Sequence, residues 1–420
     1  MKILLITHNP ICTNNNMGKT FLSLFSEFEN RELCQLYIHP TLPDVSICNS
    51  YYRITDKEAL KSIFTFGAPG GEVVCSKVGA EPSASIISVK NKNGYVSRLG
   101  RDFVWKLSHW YSQKLKAWLD REAPTHIFLA PGYAKFIYDI ALKISRDRRI
   151  PIVTYICDDY FFVNPPVSLI GKLQLSLLRR KTEALMAKTA CLVAICDEIK
   201  DLYCKSFGVR AETIMTGADM PCLRGDDSVP TSISYFGNVG CNRYLSLCEV
   251  GRALEKINSR KGTSYILKIY TNEQDTVILD ALSSISTIRM CGFFTGEAFR
   301  DAMAESDLLL HTEAFDLDSI DLVKHSVSTK IADSLSTGIP LIAYVPAEVS
   351  SAKHLQCNEC AFIATSSENL SLILEQALTD SEMRRCVVSN ALRTAAVYHN
   401  KKKNSAILRS AFIEIGKGNS

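Results

Sequence analysis

The chain has 420 residues, enough for two domains of ordinary size, each with its own apolar core. Hydrophobic residues make up 46% and charged residues 22%, the balance of a globular protein, and a net charge of +4 is too small to argue for a nucleic-acid partner. No apolar run approaches the roughly 18 to 20 residues that a membrane-spanning helix requires.

Taken in order, the chain opens on residues 1–7, an apolar block too short for a signal peptide and followed by Asn-rich sequence, so it reads as a first strand. Short apolar runs recur at 33–38, 126–129, 152–156, 192–195 and 213–215. Several are continuously apolar, as strands covered on both faces are, and helical patterns lie between them at 18–28, 133–148 and 198–207. Around 219–230 Pro, Gly and acidic residues interrupt all periodicity, the mark of a linker. A second series follows, with strands at 232–237, 265–270, 288–291, 308–311, 341–344 and 361–363. Alternating strands and helices predict an α/β chain of two doubly wound, Rossmann-like domains facing across a cleft. The expected divisions are 1–220, 232–390 and a C-terminal helix within 391–420 crossing back to the first domain.

The 15 cysteines are odd in number and scattered, many inside apparent strands or helices, which points to buried thiols rather than a disulfide framework. Cys357 and Cys360 form a lone CxxC without a second pair and read as structural. Met17-Gly18-Lys19-Thr20 imitates the end of a phosphate-binding loop, but the glycine such a loop needs five residues earlier is Thr13, so an NTPase is not expected. Residues 101–119 place Phe103, Leu107, Trp110, Leu115 and Trp118 at helical spacing among basic residues, and 169–188 is a second basic helical stretch. Core packing with a solvated basic face explains both, and so does contact with a membrane surface.

The most informative stretch is 328–343: Ser328, Thr329 and Lys330 open a short helix, Gly338-Ile339-Pro340 stops it, and a buried strand follows. A helix N-terminus with hydroxyls and a lysine is suited to an anion. Together with the Gly237-Asn238-Val239-Gly240 loop before Arg243, the 288–310 segment and 194–208, this order of motifs resembles the GT-B glycosyltransferases, especially the retaining group 1 or family-four set.

That resemblance implies a glycosyltransferase moving a sugar from a nucleotide donor, UDP- or GDP-linked, to a hydroxyl of a glycan or lipid-linked glycan. It implies retention of configuration, no metal and no further cofactor, in polysaccharide or surface-glycan assembly, with the protein cytoplasmic or peripheral on the inner face of the membrane. The donor would contact Gly237, Asn238, Gly240, Arg243, Ser328, Thr329, Lys330 and Asp333, the last through ribose hydroxyls. Glu313 would meet donor phosphate or hydroxyls, while Asp158 and Asp159 would orient or deprotonate the acceptor. Asn16, Met17 and Gly18 would belong to a mobile acceptor loop, and 101–119 with 169–188 to the membrane contact. Ion pairing of Asp333 with Lys330, and capping by the Asp158–Asp159 pair, are the structural alternatives. Asp333 replaces the family's glutamate, Cys157 its acceptor-side histidine, and 314–327 is an insertion read as loop, Asp316 and Asp318 included. Two other functions stay open: a non-catalytic GT-B-like subunit of a partner enzyme, and a nucleotide-sugar 2-epimerase.

Overall fold

The computed structural model describes residues 1–13, 16–65, 69–75, 94–163, 168–223 and 229–418. The chain divides into two compact units, Met1–Met215 with Lys401–Ser420, and Thr216–Asn400.

The first unit holds an eight-stranded sheet. Its strands are β1 (Ile3–Thr7), β2 (Leu33–Tyr37), β3 (Ser50–Arg53), β4 (Gly71–Val73), β5 (His126–Leu129), β6 (Ile152–Ile156), β7 (Thr189–Ala194) and β8 (Ala211–Thr213). They lie in the order β4-β3-β2-β1-β5-β6-β7-β8, so the direction of winding reverses between β1 and β5. All neighbours pair in parallel except β3 with β4. Strands β1, β2, β5 and β6 are buried along their whole length, which is why they read as unbroken apolar runs. β3 and β4 escape the sequence reading because Ser50-Tyr-Tyr-Arg53 and Gly71-Glu-Val73 are short and half polar, β4 forming the edge of the sheet.

Burial holds the thiols of Cys34, Cys191 and Cys360 protonated, at about 12, 11 and 11. The C-terminal helix Lys401–Gly418 packs on this first unit, with Leu408 and Phe412 fully buried in its core beside Phe28 and Phe128. Arg409 reaches Glu32 with both terminal nitrogens, at 2.9 and 2.8 Å.

The second unit holds six strands, β9 (Ser232–Phe236), β10 (Ile266–Tyr270), β11 (Ile288–Met290), β12 (Leu308–Thr312), β13 (Leu341–Tyr344) and β14 (Phe362–Ala364). Every pairing is parallel, in the order β11-β10-β9-β12-β13-β14. This is the doubly wound arrangement, with its reversal point between β9 and β12, where ligands of such sheets bind. Two predicted features change. The 101–119 pattern is two helices, Gly94–Leu107 and Gln113–Glu122, and within the 314–327 insertion lies a helix, Leu317–Val323, capped by the Asp316 carboxylate accepting from Ser319 N at 3.0 Å.

Candidate functional site

The C-terminal ends of β9 and β12 lie side by side, so the residues that leave them meet at the reversal point. β9 ends at Phe236 and hands the chain to Gly237, whose carbon approaches Lys330 so closely that a Cβ there would lie 2.0 Å from Lys330 Nζ. Glycine at 237 is what admits the ammonium. Lys330 sits in the first turn of helix Thr329–Ser336, where the helix dipole disfavours a cation unless an anion stands between them. Its Nζ also lies 6.0 Å from the centre of the Tyr235 ring, and the Tyr235 hydroxyl donates to Asn238 O at 2.6 Å. Asn238 in turn accepts from Gly240 N at 2.5 Å through its side chain, which folds the 237–240 loop back on itself.

The chain then passes through Cys241 and Asn242, both at positive φ (52° and 57°), into helix Arg243–Lys261. Asn242 is held there by its bond to Asp316 Oδ2 at 3.0 Å, the second use of that carboxylate. Arg243 Nε donates to Glu313 Oε2 at 2.6 Å, and Ser246 Oγ donates to the Glu313 carbonyl at 2.9 Å. Glu313 follows β12 directly and is buried, so the pair is removed from water.

Electrostatics follow from that burial. Desolvation pushes the Glu313 carboxyl up from its ordinary value, against the opposing pull of Arg243 and Lys330. For Arg243, burial works to lower the guanidinium's proton affinity, and the Glu313 charge and hydrogen bond outweigh it, so the net direction is upward. The bond is made by Nε rather than by the terminal guanidinium nitrogens.

Sequence reasoning missed His311, the penultimate residue of β12. It is buried, and its Nε2 lies 4.0 Å from Glu313 Oε1 with no hydrogen-bond partner. Desolvation, helped by the charges of Arg243 and Lys330, lowers it to about 3, so the ring is neutral. The signal was present: a histidine inside the otherwise apolar run Leu308-Leu-Leu-His-Thr312.

The remaining donor-side residues are placed differently. Ser328 is the N-cap of the Lys330 helix but makes no side-chain capping bond, and Thr329 is the first helical residue beside it. Asp333, expected at ribose hydroxyls, accepts from Asp219 N at 2.7 Å and Met220 N at 3.3 Å and so holds the 219–220 backbone.

In the first unit, Asp158 and Asp159 follow β6. Asp159 is buried and accepts from Phe161 N and Phe162 N at 2.9 and 3.0 Å, which makes it the cap of that turn. Asp158 is more open and accepts from the Tyr160 hydroxyl at 3.2 Å and weakly from the Cys157 thiol at 3.7 Å. Of the two, Asp158 is the less buried. Residues 14 and 15 of the expected acceptor loop lie outside the described residues, and 16–18 are the first turn of helix Asn16–Leu24 rather than loop. Met17 packs on the core, and a Cβ at Gly18 would lie 1.8 Å from the Cys12 carbonyl oxygen, so that glycine is required by backbone approach.

The reversal point of β1 and β5 carries a further network. Arg101 donates to His8 Nε2 at 2.8 Å and to Asp56 at 2.9 Å, and Trp105 Nε1 donates to the same Asp56 oxygen at 2.7 Å. An arginine can only donate, so His8 Nε2 accepts and the ring is the neutral tautomer with its proton on Nδ1, toward Asn9.

No family model and no curated protein matches this sequence. Solved structures do. HepE of Anabaena in complex with UDP is 12% identical, with 99% of this chain and 100% of that chain covered at a TM-score of 0.64. Sucrose-phosphate synthase of Thermosynechococcus elongatus is 11% identical, with 99% of each chain covered at a TM-score of 0.61. WaaG, a glycosyltransferase of lipopolysaccharide biosynthesis, is 14% identical over 96% of this chain and 99% of that chain, at a TM-score of 0.54.

The fold is GT-B. The GT-B architecture accounts for both sheets.

Proposed function

We propose that this protein is a glycosyltransferase that moves a sugar from a nucleotide-sugar donor to a hydroxyl of a glycan or lipid-linked glycan. The observation that carries the reading is the convergence, at the reversal point of the second sheet, of Gly237, Lys330 at a helix N-terminus, and Arg243. Two fixed cations and a row of backbone N–H groups suit the diphosphate of a donor, whose charge grows as the sugar departs. UDP and UDP-glucose complexes of HepE, a protein of the same fold, support a uridine nucleotide as the first candidate.

In this reading Arg243 and Lys330 clamp the two phosphates, and the 237–240 loop lets the backbone approach them. Ser328 and Thr329 supply hydroxyls to the same group. Glu313 orients Arg243 and, with neutral His311, faces the polar part of the donor sugar. Asp158 orients the acceptor hydroxyl. Retention of configuration, transfer without a metal, and a role in polysaccharide or surface-glycan assembly on the inner face of a membrane complete the proposal.

A second reading, a non-catalytic subunit of the same fold, is favoured by Asp333, one of whose carboxylate oxygens accepts from the 219–220 backbone. Calorimetric titration with UDP, GDP, ADP and CMP tests both. Binding of one nucleotide diphosphate, weakened at least roughly tenfold in Lys330→Ala, supports the donor site. Binding by the parent protein with no sugar transfer selects the subunit, and no binding by any nucleotide overturns the donor site.

A further inference from the structure

Three helices on one side of the first unit show an unusual surface. Helix Gly94–Leu107 packs against Asp56–Thr65, tied to it by the bond from Trp105 to Asp56 and by His109 N donating to Ser62 Oγ at 3.0 Å. It also packs against Leu169–Met186, where Lys135 bridges Asp102 at 2.5 Å and Gln174. On these three helices Phe64, Phe103, Leu107, Leu169, Ile170 and Leu173 are exposed, from 43% for Ile170 to 83% for Leu169. Among them stand the exposed cations Lys57, Lys61, Lys106 and Lys172. Of the acids on these helices, Asp56 is engaged by Arg101 and Trp105, Glu58 by Thr55 at 2.7 Å and Asp102 by Lys135, while Glu183 is exposed near the far end of Leu169–Met186.

Trp105 and Trp118 are not part of this face. Both are 1% exposed, Trp105 stacked on Phe136 at 4.3 Å and Trp118 against Tyr52 at 5.3 Å, so these two are core, whereas Trp110 is half-buried.

We propose that this three-helix face lies on an anionic bilayer surface, with Phe64, Phe103, Leu107, Leu169, Ile170 and Leu173 entering the headgroup region and the four lysines meeting the anionic headgroups. Charge complementarity selects this occupant. A second copy of the chain paired through the same face would bring lysines against lysines, since a two-fold interface repeats one patch on both partners. An anionic membrane supplies apolar depth and negative charge together. Among the described residues no helix is long and apolar enough to cross a membrane, so the contact is one of surface.

Topology gives the face a purpose. Helices Asp56–Thr65 and Leu169–Met186 follow β3 and β6, so their first turns lie at the C-terminal edge of the sheet, the edge that carries Asp158. A membrane under those turns would present a lipid-linked acceptor to that edge. This last step rests on the function proposed above, whereas the surface itself does not.

The test is flotation of the full chain with vesicles of equal parts phosphatidylglycerol and phosphatidylcholine, and with pure phosphatidylcholine. The parent protein is expected to float with the anionic vesicles at low salt and to be released by high salt. Two double variants, Phe103→Ser with Leu173→Ser and Lys106→Glu with Lys172→Glu, should each reduce partitioning roughly tenfold or more. All four positions are exposed, so far-UV dichroism should stay unchanged, and either pair alone suffices if the other fails to fold. A parent protein that stays off anionic vesicles, or variants that float as it does, would overturn the proposal. So would a vesicle-free dimer that the variants convert to monomer. UDP titration of the same samples separates the two failures, because donor binding without flotation removes the membrane face and leaves the transferase reading standing.

Discussion

Removing Arg243 probes the pair that organises the second unit's site. In Arg243→Ala, Glu313 keeps its buried position, with a side chain only 9% exposed, but loses its partner. Breaking a buried pair from one side costs about 3–5 kcal/mol, because the surviving charge is left uncompensated. For a unit of this size that corresponds to a fall in Tm of roughly 6–20 °C. The loss has a definite pH dependence. The Glu313 carboxyl is already raised by burial against its ordinary 4.5, and without Arg243 it rises further. A carboxyl held above its unfolded value contributes less stability as pH rises through the folded value. The deficit of the variant is therefore largest at neutral pH and shrinks as pH falls toward the unfolded value, where Glu313 is protonated in both states. Adding Glu313→Gln removes the stranded charge and should restore the double variant to within about 1 kcal/mol of the parent. Calorimetry from pH 4.5 to 8 on the three proteins measures all of this. UDP affinity should stay low in the double variant, since the guanidinium is still missing. A loss below 1 kcal/mol, a deficit independent of pH, or full recovery of nucleotide binding in the double variant would refute the reasoning.

Three further outcomes can be checked with the same instruments. His311 is held neutral, at about 3 against its ordinary 6.5, so the unfolded chain binds its proton first and stability falls as pH drops below 6.5. Between pH 7 and 5 this amounts to about 2 kcal/mol, and His311→Gln should remove that part of the acid sensitivity. Gly237→Ala puts a methyl group where Lys330 Nζ now lies, at a backbone φ of +157° that side chains rarely adopt, so nucleotide affinity should drop roughly tenfold and Tm should fall as well. Asp333→Ala leaves two backbone N–H groups without their acceptor and should cost about 1–2 kcal/mol in thermal unfolding, while an unchanged UDP affinity would show that the carboxylate serves the 219–220 backbone alone.

Much of this protein is local and therefore legible in the chain. A strand covered on both faces must be apolar along its length, so β1, β5, β6 and β13 announce themselves within a few residues of their ends. A helix opening on Ser328-Thr-Lys330 and stopped by Gly338-Ile339-Pro340 needs no tertiary information, because caps and breakers act on their own backbone. Two successive strand–helix series were enough to anticipate a pair of doubly wound sheets. The short strands β3 and β4 were not legible, since three or four residues that include polar ones carry no apolar run.

What only the tertiary structure decided is which of these local pieces meet. Arg243 and Glu313 lie 70 residues apart and pair because β9 and β12 are neighbours, a fact of strand order that no sequence period encodes. The same adjacency buries His311 and makes Gly237 a passage for Lys330. Burial likewise sorted the faces of the two helices in 94–122: the sides turned inward took Trp105 and Trp118, while Phe103 and Leu107 stayed outside. The sequence carries the periodicity of each element, and the sum of long-range contacts selects which face of it meets water.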